Sequence, residues 1–339
     1  MAAAPIPNHF VFVWDDDFLP YTAYLAIRAA ASRAQPDEIH LLKIPEMNGV
    51  PNFERLRREV PCLRPVDVQL EAWLEATALP CWRELCTAHA FLKERKYHSA
   101  VSDLLRALYL YLNGGVYLDT DVISLRPFTP LLAAGGFVAQ EHILVDSRIF
   151  KKNSPWRFFR TAPLTALRNL CSRGAWGVAL FQKVAPLYTL AVHNATMGFR
   201  PRHPLMRDLL LFIAERYRDR PKRYSLLGPD AIQDLMEKTD YPDLQVLPPR
   251  FFSPLGPTMT YQYFRSRRPA TLARLERRVI HEDTYAIHWC NNGTIAKVVP
   301  NSDEDLAALK DRQLFSRLAA SAIDAARSDE SANAGSLRS

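Results

Sequence analysis

With 339 residues, 48% of them hydrophobic and 23% charged, the chain can bury a sizeable core, which excludes a disordered, fibrous or repeat protein. Its 43 basic and 36 acidic residues leave a formal net charge of +7 spread over many positions, which does not imply nucleic-acid binding. Local clusters at Arg55, Arg57 and Arg58, at Arg265, Arg267 and Arg268, and at Arg277 and Arg278 read first as solvated helix faces. A phosphate or an anionic membrane surface is the alternative for them. The five cysteines, Cys62, Cys81, Cys86, Cys171 and Cys290, are odd in number and lack C-x2-C spacing, which points away from a disulfide framework and a structural zinc and toward a reducing compartment. Met1 to Phe10 has no basic n-region, and no apolar run reaches about 18 residues, so the expectation is a cytoplasmic chain without signal peptide or transmembrane helix. Peripheral membrane contact stays open, and no partner protein is implied.

In chain order, Phe10 to Trp14 is a β-branched and aromatic run that predicts a buried first strand. A helix follows from about Pro20 to Ala34, then a strand at Glu38 to Ile44. Phe53 to Glu59 and Leu70 to Thr77 read as helical or mixed segments. Val101, Leu104, Leu105, Leu108 and Leu112 recur at helical spacing within Ser99 to Leu112, and Asn113-Gly114-Gly115 ends that helix. Val116 to Ile123 then predicts one strand with Val116, Leu118 and Val122 on one face, and so Asp119 and Asp121 on the other. Further strands are expected at Gly135 to Glu141, Gln245 to Leu247 and Thr284 to Trp289, and helices at Pro204 to Tyr217 and Pro229 to Lys238. Strand and helix alternate, which predicts an α/β fold. The Ala- and Ser-rich end is expected to fray, giving a folded domain over residues 1–315 and a flexible tail over 316–339.

Two carboxylates at i and i+2 of a strand project to one side and can share a divalent ion. Such an ion offsets the charge that builds on a departing diphosphate without any proton transfer. The plainer reading, in which Asp119 and Asp121 end a strand and meet solvent or Arg126, leaves two carboxylates among Val116, Leu118, Val122 and Ile123. Burying them unpaired would be costly. Asp103 and Arg106, at i and i+3 of the preceding helix, form one polar patch or an ordinary helical ion pair.

Ser102-Asp103-Leu104-Leu105-Arg106 followed by Asn113-Gly114-Gly115-Val116-Tyr117-Leu118-Asp119-Thr120-Asp121 resembles the signature of the DXD-motif glycosyltransferase family. That family includes α-1,6-mannosyltransferases, α-1,4-galactosyltransferases and, more distantly, the large glucosylating toxins. Ile6 to Trp14 is similar to its opening strand; Asn194 to Met197, Arg202-His203-Pro204 and Gly228-Pro229 are similar to its second block; Ala286-Ile287-His288-Trp289 resembles its closing block. Two departures stand out: Asp15, Asp16 and Asp17 replace glycine-rich sequence after the opening aromatic, and Cys290-Asn291-Asn292 replaces a further aromatic.

The resemblance implies a GT-A fold, a single Rossmann-like nucleotide-sugar-binding domain with a mixed central sheet flanked by helices. It implies Asp121, Asp119 and His288 at a divalent metal, Mn²⁺ or Mg²⁺. Asp119, Asp103 and Arg106 would grip the donor sugar and its phosphate, and Trp14, Asn194 and Gly228 would border the donor, with Trp14 stacking on the base. The implied activity is a metal-dependent, retaining transfer of a hexose from a nucleotide sugar, a UDP-sugar first, to a glycan, glycolipid or protein acceptor. Two alternatives remain at this point. Asp119-Thr120-Asp121 on a strand also satisfies the D-x-D-x-[VT] pattern of haloacid-dehalogenase-type phosphatases, and a nucleotide-sugar-binding module without turnover would share the same motif.

Overall fold

The computed structural model describes residues 4–44, 46–144, 156–218, 227–291 and 295–324, with only the backbone of 156–160, 175 and 296. The elements follow in the order β1 (His9–Trp14), α1 (Tyr21–Ala29), β2 (Glu38–Lys43), α2 (Pro51–Glu59), β3 (Leu63–Asp67), α3 (Leu70–Ala76), α4 (Trp82–Glu94), α5 (His98–Asn113), β4 (Gly115–Leu118), β5 (Val122–Ser124), β6 (Gly136–Ile143), α6 (Trp156–Cys171), α7 (Ala175–Val184), β7 (Thr189–Phe199), α8 (Pro204–Arg218), α9 (Pro229–Lys238), β8 (Leu244–Leu247), α10 (Gly256–Met259), α11 (Pro269–Val279), β9 (Ala286–His288) and α12 (Asp303–Leu309). A seven-stranded sheet runs β3-β2-β1-β4-β7-β6-β8, and β5 pairs with β9 in a separate two-stranded sheet. β3, β2, β1 and β4 are parallel to their neighbours, β7 is antiparallel to both β4 and β6, and β8 is parallel to β6. The expected α/β domain with a mixed central sheet is the fold observed.

Period-two alternation explains why the sheet is covered on both faces. Phe10 and Phe12 of β1 join the core packed against Tyr24 of α1 and Leu56 of α2. Val11 and Val13 point the other way, into the core with Leu104 and Leu108 of α5 and Leu209 of α8. The turn from α5 into β4 needs glycine: Gly114 and Gly115 have φ of +69° and +97°. A Cβ on Gly115 would also lie 2.4 Å from the His9 ring.

Two expectations are corrected here. Val116 to Ile123 is not one strand. β4 ends at Leu118, Asp119-Thr120-Asp121 is a turn closed by the Val122 N–H donating to the Asp119 carbonyl at 3.0 Å, and β5 belongs to the other sheet. Nor is 316–339 a flexible tail throughout: residues 314–324 are helical, with Leu314, Phe315, Leu318, Ala319, Ala322 and Ile323 in the core. That helix is fastened to the helical turn that follows α1, where the Ser32 hydroxyl donates to the Ala322 carbonyl at 2.7 Å, and separately Phe315 packs on Phe264 and Trp289. Residues 325–339 lie outside the described residues, as does Asn292.

Candidate active site

The site grows from the turn between β4 and β5. Because β4 pairs with β7 and β5 with β9, the turn hangs where the two sheets part, with β9 register setting His288 opposite Val122, next to Asp121. A bulge in β7 completes the arrangement. Ala139 of β6 pairs with His193, whereas Val138 pairs with Met197, so Asn194, Ala195 and Thr196 swing out of the β6–β7 ladder. The freed Ala195 carbonyl accepts the Asp119 N–H at 2.8 Å, and the freed Asn194 carbonyl accepts from the Arg106 guanidinium at 2.7 Å.

Asp119 is held by the chain itself. Its carboxylate stands 3.1 Å from the Arg106 guanidinium and accepts the Tyr117 hydroxyl proton. Arg106, only 4% exposed, also lies 3.4 Å from Asp103, donates to the Ser102 hydroxyl and stacks 4.1 Å above the Tyr117 ring. Burial disfavours the Arg106 charge, but Asp119, Tyr117 and Asp103 outweigh it and push its pKa above the ordinary value. Burial pushes the Asp103 pKa up against the pull of Arg106. The Asn194 amide donates to Asp103 at 2.7 Å, and Gly228 covers that pair: a Cβ there would lie 3.0 Å from both the Asn194 amide nitrogen and an Asp103 oxygen.

Asp121 is held differently. The Asn291 backbone N–H donates to one carboxylate oxygen at 2.7 Å, and His288 Nε2 lies 3.4 Å from the other. Burial would raise the Asp121 pKa, yet His288 and the Asn291 N–H bring it below the ordinary value. On its far side His288 Nδ1 faces Glu141 at 3.7 Å, and the Cys290 thiol at 3.5 Å. Burial works against a charged His288 and raises the Cys290 thiol, so that thiol is neutral at neutral pH. Against that burial, the Cys290 sulfur and the Asp121 carboxylate beside the ring raise the His288 pKa well above its ordinary value. Behind them the His193 ring stacks on His288 at 5.5 Å, and burial lowers its pKa to about 4.

Asp119, Asp121 and His288 each offer an atom within 4.8 Å of the others, as do Glu141, His193 and His288. Above them opens a cleft of about 360 Å³ lined by Val13, Trp14, Asp15, Asp16, His98, Ser99, Ser102, Arg106, Tyr117, Asp119, Thr120, Asp121 and Asn291. Of the residues singled out in the sequence, Trp14, Arg106, Asp119 and Asp121 thus line one cleft, with His288 beside Asp121. Asp103, Asn194 and Gly228 are not among the lining residues and stand behind Arg106 as its support. Arg126, the alternative partner of the aspartates, instead donates to the His281 and Glu282 carbonyls. Asp15, one of the unexpected acidic triplet, is tied down by Lys93 at 3.0 Å and His98 at 3.1 Å. Glu141, His193, Cys290 and Asn291 carried no motif in the sequence. For Glu141 the one available signal was a carboxylate ending an otherwise apolar predicted strand.

Residues 11–138 match the family described as glycosyltransferase sugar-binding region containing DXD motif, and residues 198–313 match the alpha 1,4-glycosyltransferase conserved region. Both matched regions are those of glycosyltransferases, and the chain is a glycosyltransferase, in accord with the resemblance drawn from its sequence. Among solved structures it is similar to the PaToxG glycosyltransferase, at 15% identity over 69% of this chain and 70% of that one, with a TM-score of 0.44. It is similar also to the galactosyltransferase LgtC in complex with donor and acceptor sugar analogs, at 16% identity over 92% and 95%, with a TM-score of 0.42. A third is mouse xyloside xylosyltransferase 1, at 12% identity over 86% and 99%, with a TM-score of 0.43. A search of curated proteins finds no match. No helix among the described residues is long and apolar enough to cross a membrane.

Proposed function

We propose that this glycosyltransferase is metal-dependent and retaining, and that it moves a hexose from a nucleotide sugar, a UDP-sugar first among them, to a glycan, glycolipid or protein acceptor. The observation that carries the reading is the convergence of Asp119, Asp121 and His288 within 4.8 Å of one another beside a cleft of donor-sized proportions. The two carboxylates suit Mn²⁺ or Mg²⁺, and the imidazole would join them as a donor only where the cation displaces the proton it carries between Asp121 and Glu141. A bound ion would supply positive charge to the diphosphate as it leaves.

The chain's own residues fit the remaining tasks. Arg106 and Tyr117 hold Asp119 in one orientation, so that its free oxygen faces the cleft toward a sugar or ribose hydroxyl. Asn291 and His288 orient Asp121 as the metal ligand. Asp103, Asn194 and Gly228 fix Arg106, whose guanidinium reaches the cleft wall and suits a donor phosphate. Trp14, anchored by its indole N–H on the Phe18 carbonyl at 3.2 Å, presents a ring edge of the cleft to the base. Asp15 is engaged by Lys93 and His98, whereas Asp16 lines the cleft as well and leaves a carboxylate beside that position. A cytoplasmic location belongs to the same proposal and is supported by five cysteines that form no disulfide. Nothing in the structure favours the phosphatase reading, and both family matches are to glycosyltransferases.

The test is release of free nucleoside diphosphate from a panel of UDP- and GDP-sugars in Mn²⁺, Mg²⁺ or EDTA, wild type against Asp121→Asn. Release from one donor, lost in EDTA and in the variant, is the expected result. Equal release in EDTA would overturn the metal assignment.

A further inference from the structure

The charge of this chain is segregated. From Ser147 to Arg207 the sequence carries eleven Lys and Arg residues and no Asp or Glu, although the whole chain has a net charge of only +7. The described part of that stretch includes α6, α7, β7 and the first turn of α8; Arg200 and Arg207 at its far end pair with Asp243 and Asp208, while the α6–α7 part exposes large apolar side chains as well. Trp176 is 54% exposed, Leu187 58% and Leu170 41%. On α7, Trp176, Ala179 and Lys183 fall at i, i+3 and i+7 and share a face. Against it packs α11, whose Thr271, Arg274 and Arg278 have the same spacing, so that Trp176, Ala179, Arg274, Leu275 and Arg278 line one shallow groove of about 280 Å³. Among the described residues no carboxylate forms an ion pair with Arg173, Lys183, Arg274, Arg277 or Arg278; of the acidic residues nearby, Glu276 is engaged with Arg317 and Asp283 with Arg250, and Glu282 is exposed beyond the end of α11.

We infer that this α6–α7–α11 corner is a docking surface for an anionic lipid bilayer. An exposed tryptophan rimmed by arginines that have no carboxylate partner among the described residues suits the headgroup boundary, where the indole sits at the interface and each cation gains from the negative surface potential. An acidic protein would also satisfy the charge, but the exposed Leu170 and Leu187 are not part of the groove that Trp176 lines, and separate apolar side chains of that kind suit a bilayer boundary better than one anchored protein contact. The surface lies at the working end of the molecule. β6 runs parallel to β4, so its last residues stand at the end of the sheet where Asp119 and Asp121 are. There the Phe181 ring of α7 packs edge-on against His142, the residue after Glu141. The inference deepens the proposed function by naming a membrane-borne acceptor as the class this site serves, and it rests on that reading for its purpose but not for its test.

The experiment is cosedimentation of the whole chain with vesicles of phosphatidylcholine alone or with about a third phosphatidylglycerol, alongside donor hydrolysis in solution. Wild type is expected to pellet with the anionic vesicles only, to be released by high salt, and to shift its tryptophan emission to the blue. Arg274→Glu with Arg278→Glu should lower the partition at least tenfold, and Trp176→Ala severalfold and without the blue shift. Donor hydrolysis should be unchanged in both. Failure of wild type to pellet, or equal pelleting by the charge-reversed pair, overturns the inference, the former leaving an acidic protein as the occupant. Vesicle binding intact with no hydrolysis of any donor would instead strike at the transferase reading alone.

Discussion

The two aspartates of one turn are treated in opposite ways. Asp119 is clamped by a buried arginine and a tyrosine hydroxyl, both on the face of the sheet that α5 covers, and its position is fixed before any ligand arrives. Asp121, two residues on, has one backbone N–H and an imidazole at 3.4 Å, itself shared with Glu141. Under the proposed function the first would serve the framework as well as the ligand, and the second would exchange its partner for a cation. A motif that reads as a symmetrical pair is therefore divided between stability and chemistry, and substitutions should separate the two.

The largest effect on turnover is expected at Asp121. Asp121→Asn keeps an acceptor for the Asn291 N–H and removes the charge, so metal-dependent donor hydrolysis should fall by about 10²–10³ or more, with thermal stability nearly unchanged. Steady-state rates over a Mn²⁺ titration, beside a thermal melt, check this. Parallel loss of both would mean that Asp121 is as structural as its neighbour. The largest effect on stability belongs to Arg106. Arg106→Gln leaves Asp103 and Asp119 without their shared cation in a buried setting, at a cost of about 3–5 kcal/mol, read by denaturant unfolding. Such a result would reverse the emphasis that the motif alone suggests, in which Arg106 matters for donor binding more than for folding.

That contrast shows where the sequence was legible. The layering was, because β1, β2, α5, α8 and α9 announce themselves through local periodicity and through glycine or proline at their ends. Asp119 and Asp121 were visible as chemistry. Their geometry was not, because Val116 to Ile123 alternates like a strand, and only pairing of β4 with β7 and β5 with β9, some 75 to 170 residues away in the chain, breaks it at Leu118. The β7 bulge that turns Asn194 toward Arg106 is equally non-local. Glu141 and His193 had no motif to betray them, since they are recruited by the same register. The helix over 314–324 was legible in principle: Leu314, Phe315, Leu318, Ala319, Ala322 and Ile323 repeat at helical spacing beneath an Ala- and Ser-rich composition that suggested fraying.

A smaller effect tests whether the supporting layer matters for the donor. A methyl group added at Gly228 must displace the Asn194 amide or Asp103 by a few tenths of an ångström. Gly228→Ala should raise the donor KM severalfold with kcat less affected. An unchanged KM would confine Asp103 and Asn194 to the fold.

The smallest effect comes from a second carboxylate–histidine pair that serves as an internal control for Asp121 and His288. His203 Nε2 lies 3.2 Å from Asp243, which also binds Arg200 at 3.0 Å, while His203 Nδ1 accepts the Leu205 N–H at 3.2 Å and so caps α8. An accepting Nδ1 requires the neutral ring, and burial lowers the His203 pKa from 6.5 against the pull of Asp243. The unfolded chain therefore takes up that proton first: the stability contributed by neutral His203 is complete above about pH 6.5 and is lost as pH falls through the lowered folded value. Asp243 raises its own energy by burial but is held below 3.8 by Arg200 and His203, so its contribution is lost only further down. His203→Asn retains a capping acceptor and removes the titration. Denaturant unfolding should then show nearly wild-type stability at pH 8 and a flatter decline on acidification through the pH 6 region, with donor hydrolysis at pH 8 unchanged. If hydrolysis fell instead, the two histidine–carboxylate pairs would be coupled through β7, and the division between framework and chemistry drawn at Asp119 and Asp121 would not extend along that strand.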